Sequence, residues 1–358
     1  MADNAAVLRE WYRVHSRDLP WRKTKDPYKV WISEVILQQT RVIQGTPYYH
    51  RFLKTFPDVK SLASATVEKV LGVWEGLGYY RRALHLHEAA RQVVEQHGGK
   101  FPVHYKDLIR LKGIGDYTAA AIASLCGGEA VPAIDGNVRR FLCRLYQLSL
   151  NPASASDNQY LKKIAVGFLQ HHDPGTLNQA LIEFGALQCT PGLPDCQMCP
   201  FQAECLACQN GVVELLPVRP GRIKPKTRYF TYILYVWREN GIPFVLIRQR
   251  ATKDIWAKMY DFPLIESTEG FTSAEYGTKP DSGIPEPEPA TVRQWMSETY
   301  IHQLTHQRIE ARFLMKQLSA APALVPQGCF KINLMEFRGL AKPRLISRFL
   351  DNAGWDLR

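Results

Sequence analysis

The chain has 358 residues and a formal net charge of +11, from 45 Lys and Arg against 34 Asp and Glu. That length exceeds one small core and, at roughly 100–200 residues per domain, predicts two domains. No long uncharged apolar run occurs, which argues against a membrane-spanning helix. The first residues, Met-Ala-Asp-Asn-Ala-Ala-Val-Leu-Arg-Glu, carry charge where a secretory signal needs its apolar centre.

A cytoplasmic protein is therefore expected. A basic excess suits a polyanionic partner, because Lys and Arg displace the counterions held by phosphates. In a reducing compartment the eight cysteines are poor disulfide candidates. Five of them fall between 189 and 208, which calls for another explanation.

Residues 5–16 predict an amphipathic helix with Val7, Leu8, Trp11 and Val14 apolar. Leu-Pro-Trp-Arg (19–22) breaks it; there Trp21 and Arg22 either line a pocket or pin a loop. Residues 28–44 predict a second helix, apolar over most of its circumference through Val30, Trp31, Ile32, Val35, Ile36 and Leu37. Glu34, Gln38 and Arg41 share one stripe at i, i+4 and i+7. An acid in that company holds its proton more tightly, because desolvation disfavours the charged form. Glu34 is thus a candidate general acid. The alternative is a pairing with Arg41 on a wet face.

Helices are expected to continue at 48–56 and 66–75. In Trp-Glu-Gly-Leu-Gly-Tyr-Tyr-Arg-Arg (74–82), Leu77 is either a wedge for a base stack or the packing of a tight turn. His85 and His87, two apart on a helix, point away from each other and read as surface or groove residues.

Helices at 104–111 and 116–126 enclose Gly113-Ile-Gly115, a helix–hairpin–helix pattern. Two close glycines let the chain turn sharply and leave backbone N–H groups bare at a helix start, where phosphate binds readily. Asp135 follows about twenty residues later and Asn137 after it, before a helix at 137–148. Asp135 reads either as a carboxylate for chemistry or as a helix cap. Helices at 158–171 and 177–188 then run into Cys189.

Cys189, Cys196, Cys199 and Cys205 have the spacing C-x6-C-x2-C-x5-C. Four reduced cysteines so close predict a metal site. Zinc more often uses paired C-x2-C knuckles, and the compact unpaired spacing better suits a [4Fe–4S] cubane held by four thiolates. Cys208 is left without an assignment. Residues 211–228, with Pro217, Pro220 and Pro225 among basic residues, predict a stiff linker. Beyond it the character changes. Strands are expected at 229–237 and 244–248 around an Asn240-Gly241 turn, and again at 306–316 and 330–338. A mobile loop is expected over 266–291 and a short helix near 345–350.

In order along the chain, these motifs resemble the helix–hairpin–helix DNA glycosylases that carry an iron–sulfur cluster, and within them the adenine DNA glycosylases of the MutY type. The resemblance rests on Leu-Pro-Trp-Arg (19–22), Trp-Ile-Ser-Glu-Val-Ile-Leu-Gln-Gln-Thr (31–40), Trp-Glu-Gly-Leu-Gly-Tyr-Tyr (74–80), Gly-Ile-Gly-Asp-Tyr-Thr (113–118), Asp-Gly-Asn-Val (135–138) and the cysteine loop. It implies a multidomain chain. An all-α helix–hairpin–helix glycosylase domain with its cluster loop spans 1–210, a linker 211–228, and a small α+β Nudix-like domain for 8-oxoguanine recognition 229–358.

The resemblance also implies roles. Glu34 would protonate N7 of adenine, and Asp135 would stabilise or trap the oxocarbenium-like sugar, with Tyr117 and Asn137 in support. Trp21, Arg22 and Gln179 would line the base pocket. Gln39, Leu77 and Tyr79 would fill the gap left by the flipped base, and Gly113 and Gly115 would hold the DNA backbone. Related glycosylase/lyases have a lysine where this chain has Tyr117, and a phenol forms no imine, so strand cleavage is not expected. Nearby Lys112, just before the first hairpin glycine, stays open as a weak, opportunistic amine. Thr305 and His306 would read the 8-oxoguanine, although Leu304 stands where the family has an aromatic. No G-x5-E-x7-R-E-x2-E-E box is present, which argues against nucleotide pyrophosphatase activity. The implied partner is duplex DNA with 8-oxoguanine:adenine or guanine:adenine mispairs, bound by a monomer. The alternatives are a glycosylase/lyase of the endonuclease III type and a non-catalytic iron–sulfur DNA-binding protein.

Overall fold

The computed structural model describes residues 3–170, 172–218, 225–252, 255–267, 291–304 and 306–352. By their contacts these form two units. One takes the chain up to Ala65 and from Leu84 through Val218; the other takes Thr66–Ala83 and the chain from Pro225 onward. The segment before Ala83 joins the second unit partly through the Ser347 hydroxyl, which donates to Glu75 Oε1 at 3.4 Å. Among the described residues no helix is long and apolar enough to cross a membrane.

The first unit is helical. Helix α1 (Asn4–His15) begins at Asp3, whose carboxylate accepts from the Ala5 and Ala6 N–H groups. It buries Leu8 and Trp11 but leaves Val14 62% exposed. Six residues past Leu8, Val14 has rotated about 120° off the apolar stripe. Helix α2 (Pro27–Leu37) is capped by Asp26 and started by Pro27, whose missing N–H costs nothing there. Seven of its residues are buried, as the crowded apolar pattern requires.

The single helix expected over 28–44 is in fact two. The chain turns at 38–41, with Gln39 at φ 59°, and α3 (Val42–Thr55) then begins. Gly45 explains the close crossing: a Cβ there would come within 2.9 Å of Leu37 Cδ2. Helices α4 (Val59–Ala63) and, after α5 (Val67–Trp74) of the second unit, α6 (Arg81–His97) follow. On α6 His87, expected as a surface or groove residue, is buried, because it shares the i, i+3, i+4 stripe of Ala83 and Ala90.

The hairpin's first helix, α7 (Tyr105–Leu108), is one turn long instead of the predicted 104–111. The chain tightens there into successive i→i+3 bonds, ending with Ile114 N–H to Leu111 O at 3.2 Å. Helix α8 (Asp116–Gly127) is alanine-rich and buries Ala119 through Ala123. Helices α9 (Gly136–Leu145), α10 (Ala155–Leu169) and α11 (Pro174–Leu187) close a core in which Trp11, Phe141, Phe168, Phe184 and Phe201 pack together. A last short turn, α12 (Leu206–Gln209), follows the cysteine loop.

Among the described residues of the second unit, eight strands form one sheet. β1 (Lys226–Glu239) and β2 (Ile242–Gln249) make the predicted hairpin, with Asn240 and Gly241 at φ 50° and 79°. Positive φ at both turn residues matches the right-handed twist of the strands, which is why Asn-Gly serves here. β1 also runs parallel to β7 (Gln307–Leu318). Lys226 and Arg228, expected in the linker, are the first residues of β1; residues 219–224 lie outside the described residues.

The short strands β3 (Tyr260–Asp261), β4 (Leu264–Ser267), β5 (Thr291–Met296) and β6 (Tyr300–Gln303) carried too little alternation to be expected. β4 takes the first residues of the anticipated 266–291 loop, of which 268–290 lie outside the described residues. The strand expected over 330–338 stops at Asn333 as β8 (Cys329–Asn333). There the Asn333 side chain accepts the Met335 N–H and starts a helix, Leu334–Gly339. The closing helix, Arg344–Asn352, buries Phe349, whose ring stacks on Phe313 at 3.8 Å. Fold class thus agrees with expectation, a helical domain followed by a smaller α+β domain.

Candidate active site

A cleft of about 660 Å³ opens in the helical unit, within the range of roughly 300–1,000 Å³ usual for ligand sites. Trp21, Arg22, Glu34, Gln39, Tyr117, Asp135, Asn137 and Gln179 all line it. They come from five places: the 3₁₀ turn Pro20–Arg22, helix α2 with the turn after it, the starts of α8 and α9, and the second turn of α11.

Glu34 faces the cleft from α2, between the buried Val30, Trp31 and Val35. Burial pushes its carboxyl up to about 7; the Asp135 charge adds to the rise, against a hydrogen bond from Tyr117 and the charge of Arg22. The wet-face pairing with Arg41 does not form, because the helix ends at Leu37 and Arg41 caps the next one.

Asp135 takes the helix-cap position the sequence allowed and also faces the cleft. It is the N-cap of α9, its Oδ1 accepting from the Asn137 and Val138 N–H groups at 2.8 Å each. Its Oδ2 accepts from Asn137 Nδ2 at 2.7 Å and the side chain lines the cleft. Burial raises its carboxyl too, but those donors favour the charged form. Of the two acids, Glu34 carries the large shift. Tyr117, at the second position of α8, is partly buried and lines the cleft with Glu34; its hydroxyl is pushed well above the ordinary phenol range by burial and by both carboxylates.

Several residues of the site gave no signal in the sequence. Glu183 on α11 is fully buried and binds two guanidinium groups. Arg17 Nε and Nη2 reach it at 2.9 and 2.6 Å, and Arg22 Nη1 and Nη2 at 2.8 and 2.7 Å. Burial alone would raise this carboxyl, yet the Arg22 and Arg17 hydrogen bonds bring it down to about 2. Tyr12 donates to Gln179 Oε1 at 2.9 Å. Arg140 ties Asn137 Oδ1 (2.9 Å) to the backbone carbonyl of Cys189 (2.7 Å), joining the cleft to the cysteine loop. Apart from the Arg140–Asn137 bond, their partners are distant in sequence, so no local spacing could have found them.

The hairpin glycines lie at the surface, and Gly113 has φ 73°. A Cβ on Gly113 would stand 2.6 Å from His85 Cβ, so glycine is required by conformation and by space. Helix α8 starts with no side-chain cap at Gly115. Asp116, in its first turn, instead accepts from Tyr105 Oη at 2.5 Å and Lys162 Nζ at 2.7 Å.

Cys189, Cys196, Cys199, Cys205 and Cys208 line one small pocket beside Phe141, Phe184 and Phe201. Arg144, almost fully buried, holds the loop by donating to Thr190 O at 2.8 Å and Cys189 Sγ at 3.5 Å. Among the described residues no three His, Cys, Asp or Glu side chains converge on a single ion. A cubane asks for something else, one thiolate on each of four separate irons. The Cys199 thiol is pushed up to about 12, by burial first and then by the nearby Cys189, Cys205 and Cys196.

In the second unit Leu77 is buried, while Tyr79 is half exposed at φ 49° with the Arg82 guanidinium 5.5 Å from its ring. Tyr79 is therefore the side chain this turn presents to solvent. His306 is exposed just before β7; Thr305 lies outside the described residues.

Residues 32–165 match the family model of the HhH-GPD superfamily base excision DNA repair proteins, and residues 232–352 match the NUDIX domain. An adenine DNA glycosylase of Buchnera aphidicola subsp. Baizongia pistaciae is 35% identical over 264 residues, 72% of either chain. One from Homo sapiens is 43% identical over 212 residues, 57% of this chain and 39% of its own length. Among solved structures, a thermostable thymine-DNA glycosylase superposes with a TM-score of 0.54 at 26% identity, over 57% of this chain and 95% of its own. The first of these relatives is matched over most of its length, and the chain belongs to the adenine DNA glycosylases.

Proposed function

We propose that this adenine DNA glycosylase acts on adenine paired with 8-oxoguanine or guanine in duplex DNA, with Glu34 as the general acid. The observation that carries the reading is the pair of carboxylates in one cleft whose surroundings differ. An acid held near pH 7 keeps a proton to give, and the better-solvated partner of a pair takes the opposite role. Glu34 gives its proton to N7 of the flipped adenine, so that the base leaves neutral as the C1′–N9 bond breaks. Asp135, held by three donors, faces the cationic sugar with its negative charge, and water then completes the abasic site. Tyr117 orients Glu34, and Asn137 orients Asp135. Trp21, Arg22 and Gln179 bound the base, and Gln39 stands at the exposed rim.

Among the described residues no amine lines the cleft in the manner a Schiff base needs: Tyr117 faces it, and Lys112 is exposed and outside the lining. This supports a monofunctional enzyme over a glycosylase/lyase. DNA reaches the site through the hairpin, where Gly113 and Gly115 bring bare N–H groups to phosphate. Leu77 and Tyr79 take the space of the flipped base; the exposure of Tyr79 favours it as the first to enter the stack. Thr305 and His306 read the opposite base, and the enzyme works as a monomer.

Cys189, Cys196, Cys199 and Cys205 hold a [4Fe–4S] cluster. Their shared pocket, its apolar wall and the Arg144 guanidinium at Cys189 Sγ suit a thiolate-rich anion. When bound, such a cluster stiffens the loop between Cys189 and Cys205. Arg140 and Arg144 carry that order back to α9, whose first turn holds Asp135.

The test is single-turnover cleavage of a duplex with 8-oxoguanine opposite adenine, with and without alkali, for wild type and Glu34→Gln. Alkali-dependent breaks in wild type that vanish in the variant are expected. Breaks without alkali would mean lyase chemistry, and unchanged excision by Glu34→Gln would remove it as the acid.

A further inference from the structure

Five cysteines line the loop pocket, one more than a cubane needs. The fifth, Cys208, is not remote. It lies on the single turn of α12, whose N-cap is Cys205, and its N–H bonds to Cys205 O at 3.0 Å. Its side chain lines the same pocket as those of Cys189, Cys196, Cys199 and Cys205. With Cys208 included, the loop contains two C-x2-C pairs, 196/199 and 205/208.

We propose that Cys208 is a reserve ligand for the cluster, placed to take over the iron of Cys196. This rests on the reading that Cys189, Cys196, Cys199 and Cys205 hold a cluster. The exchange needs no oxidant or reductant. The Fe–S bond to Cys208 forms as that to Cys196 breaks, and the Cys208 thiol proton passes to the departing Cys196 thiolate. Two features make Cys196 the ligand to be replaced. It lines the pocket together with Cys208. It also stands on an exposed stretch, between Asp195 and Gln197, where solvent reaches the loop most readily. Cys189, by contrast, is tied down by Arg140 at its carbonyl and Arg144 at its sulfur.

The experiment uses the full chain purified without air: wild type, Cys208→Ser, Cys196→Ser, Cys189→Ser and the Cys196→Ser/Cys208→Ser double variant. Iron and sulfide per chain and the visible thiolate-to-iron absorption are measured, with far-ultraviolet circular dichroism as the check on folding. Cys208→Ser keeps the wild-type cluster content. Cys196→Ser keeps most of it, and the double variant loses it. Cys189→Ser loses it even with Cys208 present. In parallel, iodoacetamide labelling read by mass spectrometry reports which thiol is free: Cys208 is modified in the wild type and protected in Cys196→Ser. Cluster loss in Cys196→Ser equal to the double variant, or labelling of Cys208 in cluster-bearing Cys196→Ser, overturns the proposal. If Cys196→Ser does not fold, labelling of wild type decides: a Cys208 that stays unmodified while the cluster is intact also overturns it, and a modified one supports it. Wild-type protein without iron and sulfide would instead overturn the cluster reading itself.

Discussion

Glu183 and Arg22 face each other through two parallel hydrogen bonds, Nη1 to Oε1 at 2.8 Å and Nη2 to Oε2 at 2.7 Å. The carboxylate is fully buried and the guanidinium nearly so. Arg22 thus enters the cleft already committed to an anion, with its position fixed by the fork geometry. It acts on Glu34 mainly as a nearby positive charge.

Glu183→Gln removes the shared anion and leaves two cations beside the cleft. Breaking a buried pair in this way costs on the order of 3–5 kcal/mol. The low end is expected here, because Arg17 reaches solvent. Urea unfolding checks the loss, and excision should fall with it as Arg22 loses its anchor. A variant as stable as wild type would show that the pair contributes nothing net.

Glu34 predicts that rate and stability both fall as pH rises, over different windows. As a proton donor it is active below about 7, so the single-turnover rate should fall as pH rises through that value. Its folded-state affinity for the proton exceeds the unfolded one. The folded state is therefore penalised as pH climbs from the ordinary carboxylate range to about 7, and the penalty then stays constant. Glu34→Gln should be more stable than wild type at pH 8, by at most about 3 kcal/mol, and equal to it at pH 4. Tyr117→Phe removes a bond that lowers the Glu34 value, so the descending limb of the rate profile should move to higher pH. A limb that moves down, or not at all, would contradict the Tyr117–Glu34 contact.

At the hairpin, Asp116 places a carboxylate in the first turn of α8, where phosphate is expected, and Lys162 partly neutralises it. Asp116→Asn should tighten binding to an undamaged duplex several-fold and steepen the salt dependence. Freeing Lys162 for one phosphate would add roughly 0.9 to the log–log slope. The helix itself should lose about 0.3–1 kcal/mol, since an anion no longer faces its positive end. Fluorescence anisotropy at several salt concentrations measures both terms. Weaker binding would mean that Asp116 orders the hairpin more than it repels DNA.

Gly185 lets α11 pass directly over the backbone of Asn137. A Cβ there would lie 2.5 Å from Asn137 O and 2.6 Å from its carbonyl carbon. Gly185→Ala should displace the first turn of α9 and with it Asp135, at a cost of about 1–3 kcal/mol or more. Excision should fall further than stability at this position does. A crystal structure of the variant with Asn137 unmoved would rule out the packing argument.

Much of this protein was written locally. The cysteine spacing, the two hairpin glycines, the Asn240-Gly241 turn and the crowded apolar face around Glu34 are each read from contiguous residues. Backbone conformation and helical periodicity act over a few positions, so these features survive without knowledge of the fold. Their limits were local too: the helix expected over 28–44 broke at Gln39, whose left-handed backbone no periodicity announces. What only the tertiary structure decided depends on partners far along the chain. Glu183 meets Arg22 across 161 positions, and Arg140 ties Asn137 to the cysteine loop. Glu34 became an acid poised near pH 7 only when packing removed water from around it, because desolvation belongs to the assembled cleft and not to any stretch of sequence.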